Sequence, residues 1–190
     1  MRFLDSLFGR TRLPRPKAEQ LFQLITVELD LQTRLGWVPA GEAALCLKPL
    51  TTLEYEATEK ELLDLIRLVA KESDTKAEMQ IDELRYRWFI FSDEDFEDLV
   101  GVIHIAGQEL QEKGYGEQML AALFRFERSG KDAPHYLIYS YKRGAFYPFI
   151  PLPGKKRANA DELRAGSLLE GLLPCESDYS RWYPLWDAPI

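Results

Sequence analysis

Apolar residues recur at three- and four-residue spacing in several stretches of the chain and alternate with polar ones in others. The clearest helical stripe is Leu62, Leu63, Ile66, Val69 and Ala70, which predicts a helix over about 59–71. Thr58 and Glu61 stand at the spacing of a capping box, in which each side chain takes a backbone N–H that the first turn leaves unpaired. Phe96, Leu99, Val100, Ile103, Gly107 and Leu110 predict a second helix over 93–113. Ser92 is its expected cap, and the acids of its first turn suit the positive end of the helix dipole. Val102 and Ile105 lie off that stripe, and a helix apolar on two sides is usually enclosed, so this one is expected at the centre of the fold. Leu21, Phe22, Leu24 and Ile25 predict a helix from about Lys17. Its end is ambiguous, because Val27, Leu29 and Leu31 alternate as in a strand before Gly36 closes the segment. A last helix, capped by Asn159 and Glu162, carries Leu163, Leu168, Leu169, Leu172 and Leu173 until Pro174 stops it.

The strand signals lie between these helices. Residues 43–47 form a short apolar run ended by Pro49. Met79 and Ile81, then Tyr86, Trp88 and Ile90, alternate on either side of an Asp82-Glu83 turn. Long strands are expected near 118–127 and 135–141, followed by a Lys142-Arg143-Gly144 turn into 145–150, where Pro148 and Pro151 confine the segment to a sheet edge or an irregular stretch. Helices and strands come in blocks instead of βαβ alternation. That favours an α+β fold with an antiparallel sheet packed against a few helices. Residues 18–190 read as a single domain, with a tail holding Trp182, Tyr183 and Trp186 that is expected to dock on it.

Residues 1–17 read as a separate N-terminal arm. Phe3, Leu4, Leu7 and Phe8 share one helical face, Gly9 ends that turn, and Pro14 and Pro16 stiffen the connector. The arm carries Arg2, Arg10, Arg12, Arg15 and Lys17 against Asp5 alone. Each basic residue near an anionic leaflet contributes about 1 kcal/mol, and the short apolar face adds a little, so the arm supports a weak, reversible membrane contact. Docking of the same face on the domain is the alternative. Met1–Phe8 lacks a long apolar stretch and a small-residue cleavage site, so a secretory signal is not expected. No apolar run approaches the ~20 residues that span a bilayer. The expected location is the cytoplasm, with the arm as a peripheral contact at the inner face of the cell membrane.

Charge and composition narrow the chemistry. A net charge of -7 argues against nucleic acid as a partner, because phosphate binding needs a concentrated basic face. Cys46 and Cys175 make neither a metal-ligand spacing nor a redox pair, and read as buried thiols. Gly114 and Gly116 do not form a phosphate loop, since no Lys-Ser/Thr follows, and Gly114 fits a helix C-terminus. Asp93, Glu94, Asp95, Glu97 and Asp98 lack the alternating ligand loop of a cation site and fit a helix start. Of the two histidines, His104 is placed on the flank of the central helix and His135 at an exposed strand entrance. No catalytic residue, metal site or cofactor is expected from these patterns.

What remains is aromatic. Tyr136, Tyr139, Tyr141, Phe146, Tyr147 and Phe149 flank Lys142 and Arg143, and Tyr179, Trp182, Tyr183 and Trp186 flank Arg181. Aromatic residues with arginine make binding hot spots, and they equally make a core edge with cation–π contacts.

Several stretches together resemble the PspA-associated PspAB family: the opening run Phe3 to Arg10, Gly36-Trp37-Val38-Pro39 with Leu45 to Pro49, Lys113-Gly114-Tyr115-Gly116, Tyr139 to Pro151, and Leu173 to Glu176 through Ser180 to Pro184 and Trp186. The resemblance implies a partner, PspA, the phage-shock protein of stressed membranes, and leaves the mechanism open. With the aromatic–arginine patches it favours a non-catalytic adaptor that binds PspA or another envelope-stress component. Tyr147, Phe149, Arg181, Trp182 and Trp186 are the candidate partner contacts. Phe3, Leu4, Leu7, Phe8, Arg10 and Arg12 are the candidate membrane contacts of an alternative, peripheral-membrane reading. A third reading is an enzyme of unrecognised type built around His104.

Overall fold

The computed structural model describes residues 20–49 and 55–190, so the arm and its membrane-contact candidates lie outside the described residues. The chain runs α1 (Gln23–Asp30), a π-helical turn (Leu31–Leu35), β1 (Trp37–Leu47), α2 (Tyr55–Glu72), β2 (Lys76–Ile81), β3 (Arg87–Ser92), α3 (Phe96–Glu112), β4 (Met119–Arg128), β5 (Lys131–Ser140) and β6 (Ala145–Phe149). A two-residue hairpin, β7 (Pro151–Leu152) with β8 (Lys156–Arg157), then leads into α4 (Asn159–Leu169), and a 3₁₀ turn at Tyr179–Arg181 interrupts the tail. The six long strands form one antiparallel sheet in the order β2-β3-β1-β4-β5-β6. The fold is α+β.

Alternation along β1 shows how the sheet divides the core. Ala43, Leu45 and Leu47 join a cluster with Phe89, Phe91, Phe124 and Phe126 that α1, α2, α3 and α4 cover. Ala44 and Cys46 point the other way, into a second cluster with Trp88, Ile90, Leu123, Tyr136, Ile138, Tyr147 and Phe149. The tail residues Trp182, Leu185, Trp186, Ala188 and Ile190 cover this second face. One face of the sheet therefore carries helices and the other carries an irregular strap.

Several expected boundaries move, each for a visible reason. Leu24, Val27, Leu31 and Leu35 are buried while Leu29 is 70% exposed, so the segment after α1 continues as helix and the strand-like alternation was coincidental. Gly36, at φ 70°, ends it in the left-handed conformation. β1 begins at Trp37, well before residue 43, and its first residues pair with β4 alone. Pro39 is tolerated there because the strand is locally an edge. α2 starts at Tyr55, which places Thr58 inside the helix and not at its cap. The cap of α3 is Asp95, whose side chain accepts the Glu97 N–H at 2.8 Å, while Ser92 closes β3. Asp93 accepts the Asp95 N–H at 2.9 Å and the Thr75 hydroxyl at 2.7 Å, so the acidic run is a set of caps and turn contacts.

α3 is the central helix: Val102, Ile103, His104 and Ala106 are buried, although Ile105 stays 39% exposed. The Asp82 turn between β2 and β3 is also built as expected. Its carboxylate accepts the Leu84 and Tyr86 N–H groups at 2.9 Å and the Trp88 Nε1–H at 3.0 Å.

Candidate functional site

The tail is held to the sheet by a small set of polar anchors. Arg157, at the end of β8, donates from Nε to both oxygens of Glu162 at 2.9 and 3.1 Å and from Nη1 to the Trp182 carbonyl at 2.6 Å. Its guanidinium lies 5.3 Å from the Phe149 ring centre and 5.5 Å from that of Tyr179. Glu162, fully buried, also accepts the Ile150 N–H at 2.8 Å. The expected capping by Asn159 and Glu162 is therefore not formed: α4 starts after Ala158 with no side-chain cap, Glu162 is taken up by Arg157 and Ile150, and Asn159 accepts the Tyr179 hydroxyl at 2.9 Å. A carboxylate buried this deeply is tolerated only when paired and hydrogen-bonded, and here it has both kinds of partner.

Beyond Arg157 the tail runs across the second sheet face. Tyr147 donates its hydroxyl to the Tyr183 carbonyl at 3.1 Å, and Tyr136 donates to the carbonyl of Ile190. Trp182 stacks on Tyr147 and donates Nε1–H to the Glu176 carbonyl at 2.8 Å. Its ring also rests on α4, where a Cβ at Gly166 would lie 2.4 Å from Cη2. Trp186 meets Phe149 edge to face at 5.1 Å. Burial pushes the Tyr147 hydroxyl far above its ordinary value, despite the opposing pull of Arg157.

The five partner-contact candidates separate by depth. Tyr147, Phe149 and Trp182 are 3%, 0% and 6% exposed, so each must leave the core before it can touch anything outside. Trp186 is half-buried and Arg181 is exposed. Arg181 pairs with Asp178 at 2.9 Å and lies 3.8 Å from Glu176, which Arg143 reaches at 3.3 Å. Tyr183 (59% exposed) and Tyr179 (37% exposed) complete the outward face of the tail. Between that tail and the β2–β3 turn lies an open cleft of about 730 Å³, lined by Asp82, Glu83, Trp88, Lys155, Trp186 and Asp187. Arg157 and Glu162 had no distinguishing sequence signal as a site, because their partners Trp182 and Ile150 stand far away in the chain.

The other candidates are structural in placement. The His104 ring lies on Phe22 at 4.4 Å between centres. His135 is buried, not exposed: it sits within β5 opposite Phe126, donates or accepts through Nδ1 at the Ala133 carbonyl at 2.9 Å, and meets Trp37 edge-on. The strand begins earlier than 135, and that carries the histidine inward. Burial lowers its pKa. Cys46 is buried, and Cys175 is half-buried with its thiol pushed up to about 12, chiefly by burial and then by Glu170. Among the described residues no three His, Cys, Asp or Glu side chains gather as a metal site. Among them, too, no helix is long and apolar enough to cross a membrane.

No curated protein and no solved structure matches this chain. The family model for PspA associated protein B, PspAB, matches residues 1–190. With a match over its whole length, the chain belongs to the PspAB family.

Proposed function

We propose that this protein is a non-catalytic adaptor that binds PspA, or another envelope-stress component, through the outward face of its C-terminal tail. The family match is the observation that carries the reading, because the family is described by its association with PspA. The tail supports the choice of surface. It presents Arg181 and Tyr183 outward, with Trp186 half-buried beside them, residue types that dominate protein–protein hot spots. Tyr147, Phe149 and Trp182 lie beneath it as a rigid backing, and pre-organised contacts lose less entropy on binding. Arg181 already sits among carboxylates, so a partner would have to replace those partners or extend the network.

The test is a titration of PspA with the wild-type chain and with Arg181→Ala and Tyr183→Ala. Both side chains are exposed, so the fold should survive, as a thermal melt will show. A loss of affinity of roughly 30-fold, a hot-spot effect of about 2 kcal/mol, is expected for at least one. Wild-type affinity in both variants would place the contact elsewhere.

A further inference from the structure

β2 is an outer strand of the sheet, and among the described residues only β3 pairs with it. The opposite edge is closed. Phe146 of β6 donates its N–H to the Pro174 carbonyl at 2.8 Å and accepts the Glu176 N–H at 2.9 Å. Pro148, turned to the same side of β6, has no N–H to offer. β2, with the sequence Lys-Ala-Glu-Met-Gln-Ile, has no proline, and its register with β3 is unbroken. Such an edge is a template for another strand.

Which backbone groups face outward follows from one hydrogen bond. Asp82 donates its N–H to the Tyr86 carbonyl at 3.1 Å, continuing the β2–β3 ladder. The even-numbered residues of β2 therefore face β3, and Ala77, Met79 and Ile81 turn their N–H and C=O groups to the open edge. We infer that this edge pairs with β2 of a second copy of the chain, antiparallel about a two-fold axis at Met79, so that two six-stranded sheets become continuous.

Charge selects both the occupant and the register. With the axis at Met79, Lys76 stands opposite the partner's Asp82 and Glu78 opposite the partner's Gln80, on the tail side of the sheet. On the helix side Ala77 meets the partner's Ile81, and the two methionines meet each other. Every residue of the strand is used, and the isologous arrangement makes each contact twice. Moving the axis to Glu78 sets two glutamates face to face. Moving it to Gln80 sets Glu78 against the partner's Asp82. Like charges directly opposite are destabilising. Axes at Ala77 or Ile81 leave much of the strand unpaired. A strand pair of this length buries less than a standard interface, so the dimer is weak and dissociates in the micromolar range or above.

Sedimentation velocity of the full chain alone, from micromolar to near-millimolar concentration, tests this without PspA, so its outcome is separate from that of the adaptor reading. The expected result is a mass rising to twice that of the monomer. Lys76→Glu, on an exposed side chain, should weaken association about tenfold or more, because two attractive pairs become repulsive. Ala77→Pro removes only an outward N–H and should leave the monomer melt intact while abolishing the dimer. Under oxidation Met79→Cys should cross-link, since paired Cα atoms lie ~5.5 Å apart. Lys76→Cys should not, being about 20 Å from its own copy. A chain that stays at monomer mass throughout, a dimer that survives Lys76→Glu and Ala77→Pro, or cross-linking at 76 as readily as at 79 would overturn the inference.

Discussion

Trp182 joins three parts of the molecule at one side chain: it stacks on Tyr147 of β6, donates to the Glu176 carbonyl and rests on Gly166 of α4. Removing a buried tryptophan of this kind costs about 3–5 kcal/mol, a large share of the ~5–15 kcal/mol that holds a domain folded. Trp182→Ala should therefore fail in a denaturant melt before it reports anything about binding. Gly166→Ala probes the same contact from the other side. Its Cβ would meet the indole at 2.4 Å, so overpacking of about 1–3 kcal/mol is expected. A melt unchanged by Gly166→Ala would mean that the indole does not sit there.

His135 provides a pH signature. Burial first, opposed by its bond to Ala133 and reinforced by Arg128, lowers its pKa below the ordinary 6.5. The unfolded chain then binds the proton more readily than the folded one. The associated stability is fully present above the ordinary value and is lost as the pH falls toward the lower folded value. His135→Gln should flatten the decline in melting temperature between about pH 7 and about pH 5. An identical slope in both proteins would assign the pH dependence to other groups.

At the scale of elements, periodicity was legible wherever one face of an element meets the core and the other meets water. Sequence placed α2, α3, the β2–β3 turn and the edge position of β6 near their observed positions. It misplaced caps, because Asp95 and Ser92 are equally good cap residues and only the end of β3 decides between them. It missed the role of Arg157 and Glu162, since nothing local says that a carboxylate near a helix start will be fully buried against a guanidinium that also holds the distant Trp182 carbonyl. In the aromatic patches, composition alone could not separate core from surface. Tyr147, Phe149 and Trp182 belong to the core, while Arg181 and Tyr183 reach solvent.

The Arg157–Glu162 pair has a measurable consequence. Glu162→Gln leaves a buried guanidinium without its counter-charge, a loss of about 3–5 kcal/mol. The tail should loosen first, seen as faster amide exchange over 176–190 than over β4. Uniform protection across both would show that the pair does not hold the tail. The arm, residues 1–17, is tested by liposome sedimentation with anionic lipid. The full chain should pellet weakly and a chain lacking the arm should not. Equal pelleting would remove the membrane reading.

For the molecule as a whole, the asymmetry of the sheet matters most. Helices cover one face, and a strap carrying Tyr179, Trp182, Tyr183 and Trp186 around Arg181 covers the other. Such an arrangement can present a rigid surface, as the proposed adaptor role requires. Calorimetric titration of this protein with PspA from the same organism tests that role most directly. Saturable heat at micromolar affinity or tighter, sharply reduced by Arg181→Ala or Tyr183→Ala, is the expected result. No heat at several temperatures, with both proteins folded, would contradict direct binding and leave the adaptor role without its partner.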